Sequence, residues 1–267
     1  MGVSAVLLCL ALVGARPAFA GPPPTVFLEE LTWPEVRDAI GAGKTTVIVP
    51  IGGTEQNGPH MALGKHNVRV KVLAERIARA LGNVVVAPVI AYVPEGGVRP
   101  ATGHMRFPGT ITVPDDVFRR LLESTARSLA LHGFRDVVFL GDHGSTQPGE
   151  KAVAARLNRE WQNTPARAHP IEAYYRAATA EFRDLLRVRG YRAEEIGEHA
   201  ALADTALTLA LAPDLVRSHP PRDAQVPGVG TGVVGDPARA TAEIGRLGVE
   251  LIVARTVAAI KEATTRR

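Results

Sequence analysis

Three short, unbroken apolar runs recur along this chain, Thr45-Thr-Val-Ile-Val-Pro50, Asn83–Val89 and Asp136-Val-Val-Phe-Leu-Gly141, and segments of helical character lie between them. A strand that shows no polar alternation has to be buried on both faces, so the pattern predicts an α/β fold whose parallel sheet is covered by helices on each side. Between the first two runs Val70, Leu73, Ile77 and Leu81 fall at helical spacing over Asn67–Leu81. Thr32-Trp-Pro-Glu35 carries the spacing of a capping box with Pro in the first turn, and Gly41 or Gly43 stops that helix. Pro114-Asp-Asp opens another helix, to about Leu131, after a short strand expected at Ile111–Val113. Further helices are predicted at about Gly149–Trp161, Ala173–Val188, Ala201–Ala212 and Ala238–Ala263, with a Pro/Gly-rich connection over Pro213–Gly235. In sheets of this kind sites lie outside the carboxyl ends of the strands, which points to the loops after Pro50 and Gly141.

The first twenty residues stand apart. An apolar run from Ala5 to Gly14, then Ala18-Phe-Ala20 before Gly21, reads as a signal peptide with its cleavage site, although Met1-Gly-Val-Ser supplies no basic residue; an uncleaved anchor is the alternative. The expected organisation is a signal over residues 1–20 and a single domain over 21–267, exported and periplasmic, off the membrane once the signal is removed. Cleavage takes away Cys9, the only cysteine, so disulfides and cysteine nucleophiles drop out of consideration. It also takes Arg16, lowering the net charge from +4 to +3. The basic residues are scattered among acids rather than gathered in a stripe, and nucleic acid is not expected as a partner.

Eight histidines are present, and His60, His66, His104, His143 and His199 fall in loops or near helix starts together with Glu55, Asp142 and Asp204. Imidazole and carboxylate groups at strand ends are what a divalent ion such as Zn²⁺ or Mn²⁺ uses. No H-E-x-x-H, nucleophile elbow, phosphate loop or dinucleotide fingerprint occurs to narrow the chemistry further.

The segment Gly52-Gly-Thr-Glu-Gln-Asn-Gly-Pro-His-Met-Ala-Leu-Gly-Lys-His66 resembles the signature of the creatininase family, G-x-x-E-Q-H-G-P-H-L-P-L-x-x-D. Three further stretches are similar to family segments in the same order: His104-Met-Arg-Phe-Pro-Gly-Thr110, Phe134–Gly144 with its strand and loop histidine, and His199-Ala-Ala-Leu-Ala-Asp-Thr205 with the helix behind it. The resemblance spans Thr45 to Val216. It implies a three-layer α/β/α fold, a two-metal centre, hydrolysis of non-peptide or cyclic C–N amide bonds in a small molecule, and a homo-oligomer, commonly a hexamer. Position by position, the family's Glu falls on Glu55, its motif His on Asn57, its bridging Asp on His66 and its loop His on His143. The carboxylate two residues beyond that histidine is Ser145 here. The proton-shuttling His falls on His199, and a second Glu on Asp204.

Two of four ligand positions thus differ. Two cations roughly 3.5–4 Å apart need a bridging anion, which the imidazole of His66 does not provide. The expectation is therefore one Zn²⁺ or Mn²⁺ per chain, held by Glu55, His66 and His143, with a metal-activated water as nucleophile. His199 is expected as the proton carrier and Asp204 as a base or a fourth ligand. Asn57, His60, His104 and Asp142 are expected around the substrate or behind the ligands. Bland readings stand beside these: His60 bonding its own loop, His66 and His199 capping helices, Asp142 starting one. On an unbroken helix His199 and Asp204 would point roughly 140° apart, so they converge only if the helix begins between them, near Ala201. The alternative for the whole chain is an inactive periplasmic binding or scaffold protein that keeps the fold.

Overall fold

The computed structural model describes residues 25–218 and 229–265; the expected signal segment, residues 1–20, lies outside them, as does the middle of the Pro/Gly-rich connection. In chain order the elements are α1 (Trp33–Gly41), β1 (Thr46–Ile51), α2 (Lys65–Leu81), β2 (Val84–Val86), α3 (Asp115–Leu131), β3 (Asp136–Gly141), α4 (Gln147–Glu160), β4 (Arg167–Pro170), α5 (Glu172–Arg176), α6 (Phe182–Val188), α7 (Ala193–Ile196), α8 (Leu202–Leu211) and α9 (Ala242–Thr265). The capping box forms as expected, with the Glu35 carboxylate accepting from the Thr32 N–H at 2.7 Å. No described helix is long and apolar enough to cross a membrane.

All four strands pair in parallel in the order β2-β1-β3-β4, with Thr46 opposite both Val84 and Asp136. Successive residues of the central strands alternate between two cores. Ile48, Val138 and Leu140 pack with Val70, Leu73 and Ile77 of α2 and with Tyr174 and Phe182. Val47, Val49 and Phe139 pack with Phe118 and Leu122 of α3 and Leu157 of α4. Two apolar faces on one sheet produce three layers, and each large side chain buried this way contributes about 1.5–3 kcal/mol. The α/β architecture read from the apolar runs is the one observed.

Three local expectations differ. Ile111–Val113 forms no ladder: Ile111 bridges Thr54 antiparallel while Thr112 bridges Val93 in parallel, so neither pairing can extend. The segment expected as one helix over 173–188 is α5 and α6 joined through a wider π-type stretch, Ala177–Glu181. Strand β4, Arg-Ala-His-Pro, was not expected, because an edge strand of four residues with one fully buried side chain leaves no apolar run to read.

Chain order across the sheet places the site. After β1 the chain returns through α2 to β2 on one side, whereas β3 lies against β1 on the other. Loops leaving β1 and β3 therefore part in opposite directions and open a crevice between them, the position where ligands bind in open parallel sheets.

Candidate active site

Both loops supply residues to a cavity of about 680 Å³ at that crevice. The β1 loop brings Glu55, whose side chain is fully buried. Asn57 holds this loop in shape: its Nδ2 donates to the carbonyls of Glu55 at 2.9 Å and Ala62 at 3.1 Å. Its neighbour Gln56 reaches the other way, accepting from the Gly58 N–H and donating to the Gly232 carbonyl.

Four histidines surround Glu55. His66 Nε2 lies 2.7 Å from Oε1, while His104 Nε2 and His143 Nε2 each lie 3.0 Å from Oε2. His199 Nδ1 is farther, 3.9 Å from Oε1. Burial alone would raise the Glu55 carboxyl, but the charge of His66 and the hydrogen bonds from His104 and His66 hold it well below the usual carboxylate range.

A second carboxylate meets the first. Glu95 comes from the loop between β2 and α3, is 4 % exposed, and places Oε2 3.3 Å from His143 Nε2. Neither of its oxygens has a hydrogen-bond partner. Burial and the negative charge of Glu55 push its pKa far above the ordinary value. Its position is built by the backbone around it: the Glu95 N–H donates to Thr112 Oγ1, its carbonyl accepts from the His104 N–H, and Gly53 leaves room where a Cβ would stand 2.6 Å from Oε1. Ligand-type atoms of Glu55, Glu95, His104 and His143 all lie within 4.8 Å of one another. Two buried carboxylates side by side, one of them without any donor, beside imidazoles, are a donor set that fits Zn²⁺ or Mn²⁺.

Behind this cluster lies an ionic layer. Asp142 accepts from His66 Nδ1 at 2.6 Å, Arg69 Nε at 2.8 Å and the Tyr174 hydroxyl at 2.5 Å. Asp204 accepts from Lys65 Nζ at 2.6 Å, Arg69 Nη1 at 2.8 Å and the Ala200 N–H at 3.0 Å. Asp142 is buried and Asp204 partly so, yet both carboxyls are held low, Asp142 by the Arg69 charge and Asp204 by those of Lys65 and Arg69. Lys65 itself is fully buried, its Nζ also 3.8 Å from Glu55 Oε1.

Helix α8 begins at Leu202, so His199 sits in the turn before it and does share the cavity with Asp204. His199 Nε2 donates to the Gln56 carbonyl at 2.9 Å, which leaves Nδ1 as the acceptor. Burial and the nearby Lys65 charge lower its pKa to about 4. Burial likewise lowers His143.

Several expected site residues have partners that the sequence did not suggest. His66 has a carboxylate on each ring nitrogen, Asp142 at Nδ1 and Glu55 at Nε2. Asp204 is engaged by Lys65, Arg69 and the Ala200 N–H. His60, expected near substrate, instead bonds Thr205 at 3.0 Å and ties the loop to α8. Asn57 braces backbone and does not line the cavity. Asp142 does stand behind a histidine, as one reading of it had it. Tyr175 lines the cavity whereas Tyr174 is buried beneath it. Glu95, Lys65 and Arg69 were missed as site residues. The only signal for Glu95 was a lone carboxylate in the Pro- and Gly-rich stretch leading to His104.

The family model described as creatinine amidohydrolase matches residues 29–260. The creatinine amidohydrolase of Pseudomonas putida is 26 % identical, covering 89 % of this chain and 97 % of that protein. The mycofactocin precursor peptide peptidase of Mycolicibacterium smegmatis is 28 % identical over 77 % of this chain and 81 % of its own. Among solved structures, one titled as a manganese creatininase superposes with a TM-score of 0.73 at 26 % identity, covering 90 % of this chain and 99 % of that one. Another, a zinc–zinc form of a creatininase mutant, has a TM-score of 0.68 at 26 % identity over 90 % and 98 %. With its sheet, its crevice and nearly its whole length accounted for in this way, the chain belongs to the creatininase family.

Proposed function

We propose that the chain is a metal-dependent hydrolase that cleaves a non-peptide or cyclic amide C–N bond of a small molecule. The observation that carries this reading is the convergence of Glu55, Glu95, His104 and His143 on one point of the cavity, with Glu95 left without any donor. When bound there, a divalent cation supplies Lewis acidity toward a carbonyl oxygen and makes water a stronger acid. The chain's own residues do the rest. His199, neutral at pH 7 and with Nδ1 open to the cavity, takes a proton from the attacking water and delivers it to the departing nitrogen, so that water ends divided between acid and amine. Gln56 holds the ring in the tautomer that this requires. Lys65 and Arg69 neutralise Asp204 and Asp142, which keeps the cavity wall from repelling a developing negative charge. A scaffold has no use for a buried carboxylate without a donor beside two imidazoles, which favours the enzyme over the inactive alternative.

The apolar N-terminal run and its small-residue cleavage pattern support export to the periplasm, and the family supports a homo-oligomer. The test is a screen of cyclic and linear amides with protein stripped by chelator and reloaded with Zn²⁺ or Mn²⁺. Turnover that requires the ion and falls about 10²–10⁴-fold in His199→Ala is expected. Turnover indifferent to chelator overturns the reading.

A further inference from the structure

Hydrogen bonding around the four converging side chains fixes which nitrogens carry hydrogen, and hence which have a lone pair to give. Gln56 is oriented from both ends: Oε1 accepts from the Gly58 N–H at 2.9 Å, so Nε2 faces the Gly232 carbonyl at 3.1 Å and His104 Nδ1 at 3.0 Å. An amide nitrogen only donates, which makes His104 Nδ1 the acceptor and leaves the ring hydrogen on Nε2, pointing at Glu55 Oε2. His104 is thereby a donor, and His66 is occupied by carboxylates on both sides.

His143 is set the opposite way. Ser145 Oγ lies 2.5 Å from the Pro94 carbonyl, which only accepts, so its one hydrogen is committed there. His143 Nδ1 then has two neighbours, the Ser145 amide, which donates toward it at 3.2 Å, and Ser145 Oγ at 2.6 Å, whose hydrogen is already given to Pro94; of the two the shorter contact decides the tautomer, and there the imidazole donates. His143 Nε2 is left with a lone pair facing Glu55 Oε2 at 3.0 Å and Glu95 Oε2 at 3.3 Å. A lone pair directed at two carboxyl oxygens needs a proton or a cation among them, and a divalent ion meets all three groups at once.

We infer that one divalent cation is held by three residues, Glu55, Glu95 and His143, while His66 and His104 donate to the two oxygens of Glu55 and Ser145 is a positioning residue for His143. This inference rests on the metal dependence proposed above and specifies its ligands. Donors on both Glu55 oxygens fix the carboxylate plane without consuming all its lone pairs, the usual part of partners behind a ligand. Three protein ligands leave coordination open for water and substrate, as catalytic zinc sites require. Because Ser145 spans His143 and Pro94, the residue before Glu95, one hydroxyl sets two of the three ligands together.

The test is titration of metal-free protein with Zn²⁺ against a competing chelator dye, for the wild type and for Glu95→Gln, His143→Gln, His104→Gln and His66→Gln, with the visible spectrum of the Co²⁺ form as a second readout. The wild type should take one equivalent. His104→Gln and His66→Gln, whose amide N–H can replace the donated hydrogen, should weaken binding by no more than about 10–100-fold and keep the wild-type cobalt spectrum. Glu95→Gln and His143→Gln should lose more than that, and any cobalt they retain should show an altered spectrum. Retention of the ion by Glu95→Gln, or its loss from His104→Gln or His66→Gln to the same extent as from His143→Gln, overturns the assignment; the His143 and His104 pair decides the matter even if Glu95→Gln does not fold. A wild type that takes up neither Zn²⁺ nor Mn²⁺ overturns the metal dependence itself, a distinguishable outcome.

Discussion

Lys65 shows how much a single buried side chain can commit this site. Its ammonium is out of water and bound to Asp204 at 2.6 Å, so removing it strands a carboxylate that only Arg69 and one amide still hold. Breaking such a pair costs about 3–5 kcal/mol, whereas neutralising both partners costs much less. Urea denaturation should therefore find Lys65→Met strongly destabilised and Lys65→Met with Asp204→Asn considerably less so; additive losses would contradict the coupling. His199 carries the opposite expectation, since it bears on catalysis more than on structure: His199→Ala should bind Zn²⁺ as the wild type does while turnover falls. Where a motif marked a residue, at Glu55, His143 and His199, the sequence placed it in the cavity. Sequence reading failed at Lys65 and Arg69, because charges in the first turns of an amphipathic helix ordinarily face solvent, and only the packed β1 and α8 loops turn these two inward.

Elements determine how those side chains arrive. Strands β1 and β3 were legible because burial on both faces leaves continuous apolar runs, and their carboxyl ends located the site correctly. The loop carrying Glu95 was not legible: no periodicity or spacing ties residue 95 to residues 55 and 143, and the tie is made by backbone contacts to Thr112 and His104 and by the missing side chain at Gly53. Gly53→Ala should accordingly cost about 1–3 kcal/mol in thermal or urea unfolding and displace Glu95, weakening Zn²⁺ binding; an unchanged affinity would contradict the role given to that glycine. Helix α4 supplies a pH effect of its own. Glu150 is 2 % exposed in its first turns, and burial raises its carboxyl to about 7. With the folded pKa above the unfolded one, its contribution is complete below about pH 4.5 and is lost as pH rises toward 7, amounting to about 3 kcal/mol. Glu150→Gln should flatten the stability profile of metal-free protein between pH 5 and 7 and melt above the wild type at pH 8, as followed by circular dichroism.

At the scale of the whole molecule, the sheet order β2-β1-β3-β4 opens the crevice, and the chain lines it with a carboxylate pair toward one side and an ionic layer toward the other. Lys65 and Arg69 already answer Asp142 and Asp204 with protein cations, so one divalent ion answers Glu55 and Glu95 and would complete the charge balance without a second. This arrangement keeps the family's fold and crevice while altering how its charges are met, which is why resemblance located the site and only the packed structure distributed the roles within it. The central claim is metal dependence, and elemental analysis tests it most directly, by plasma mass spectrometry of protein purified without chelator or affinity-tag metal beside Glu55→Ala and His143→Ala. About one equivalent of Zn or Mn per chain in the wild type, lost in both variants, is the result this account predicts. A negligible content that stays negligible after addition of Zn²⁺ or Mn²⁺ would contradict it.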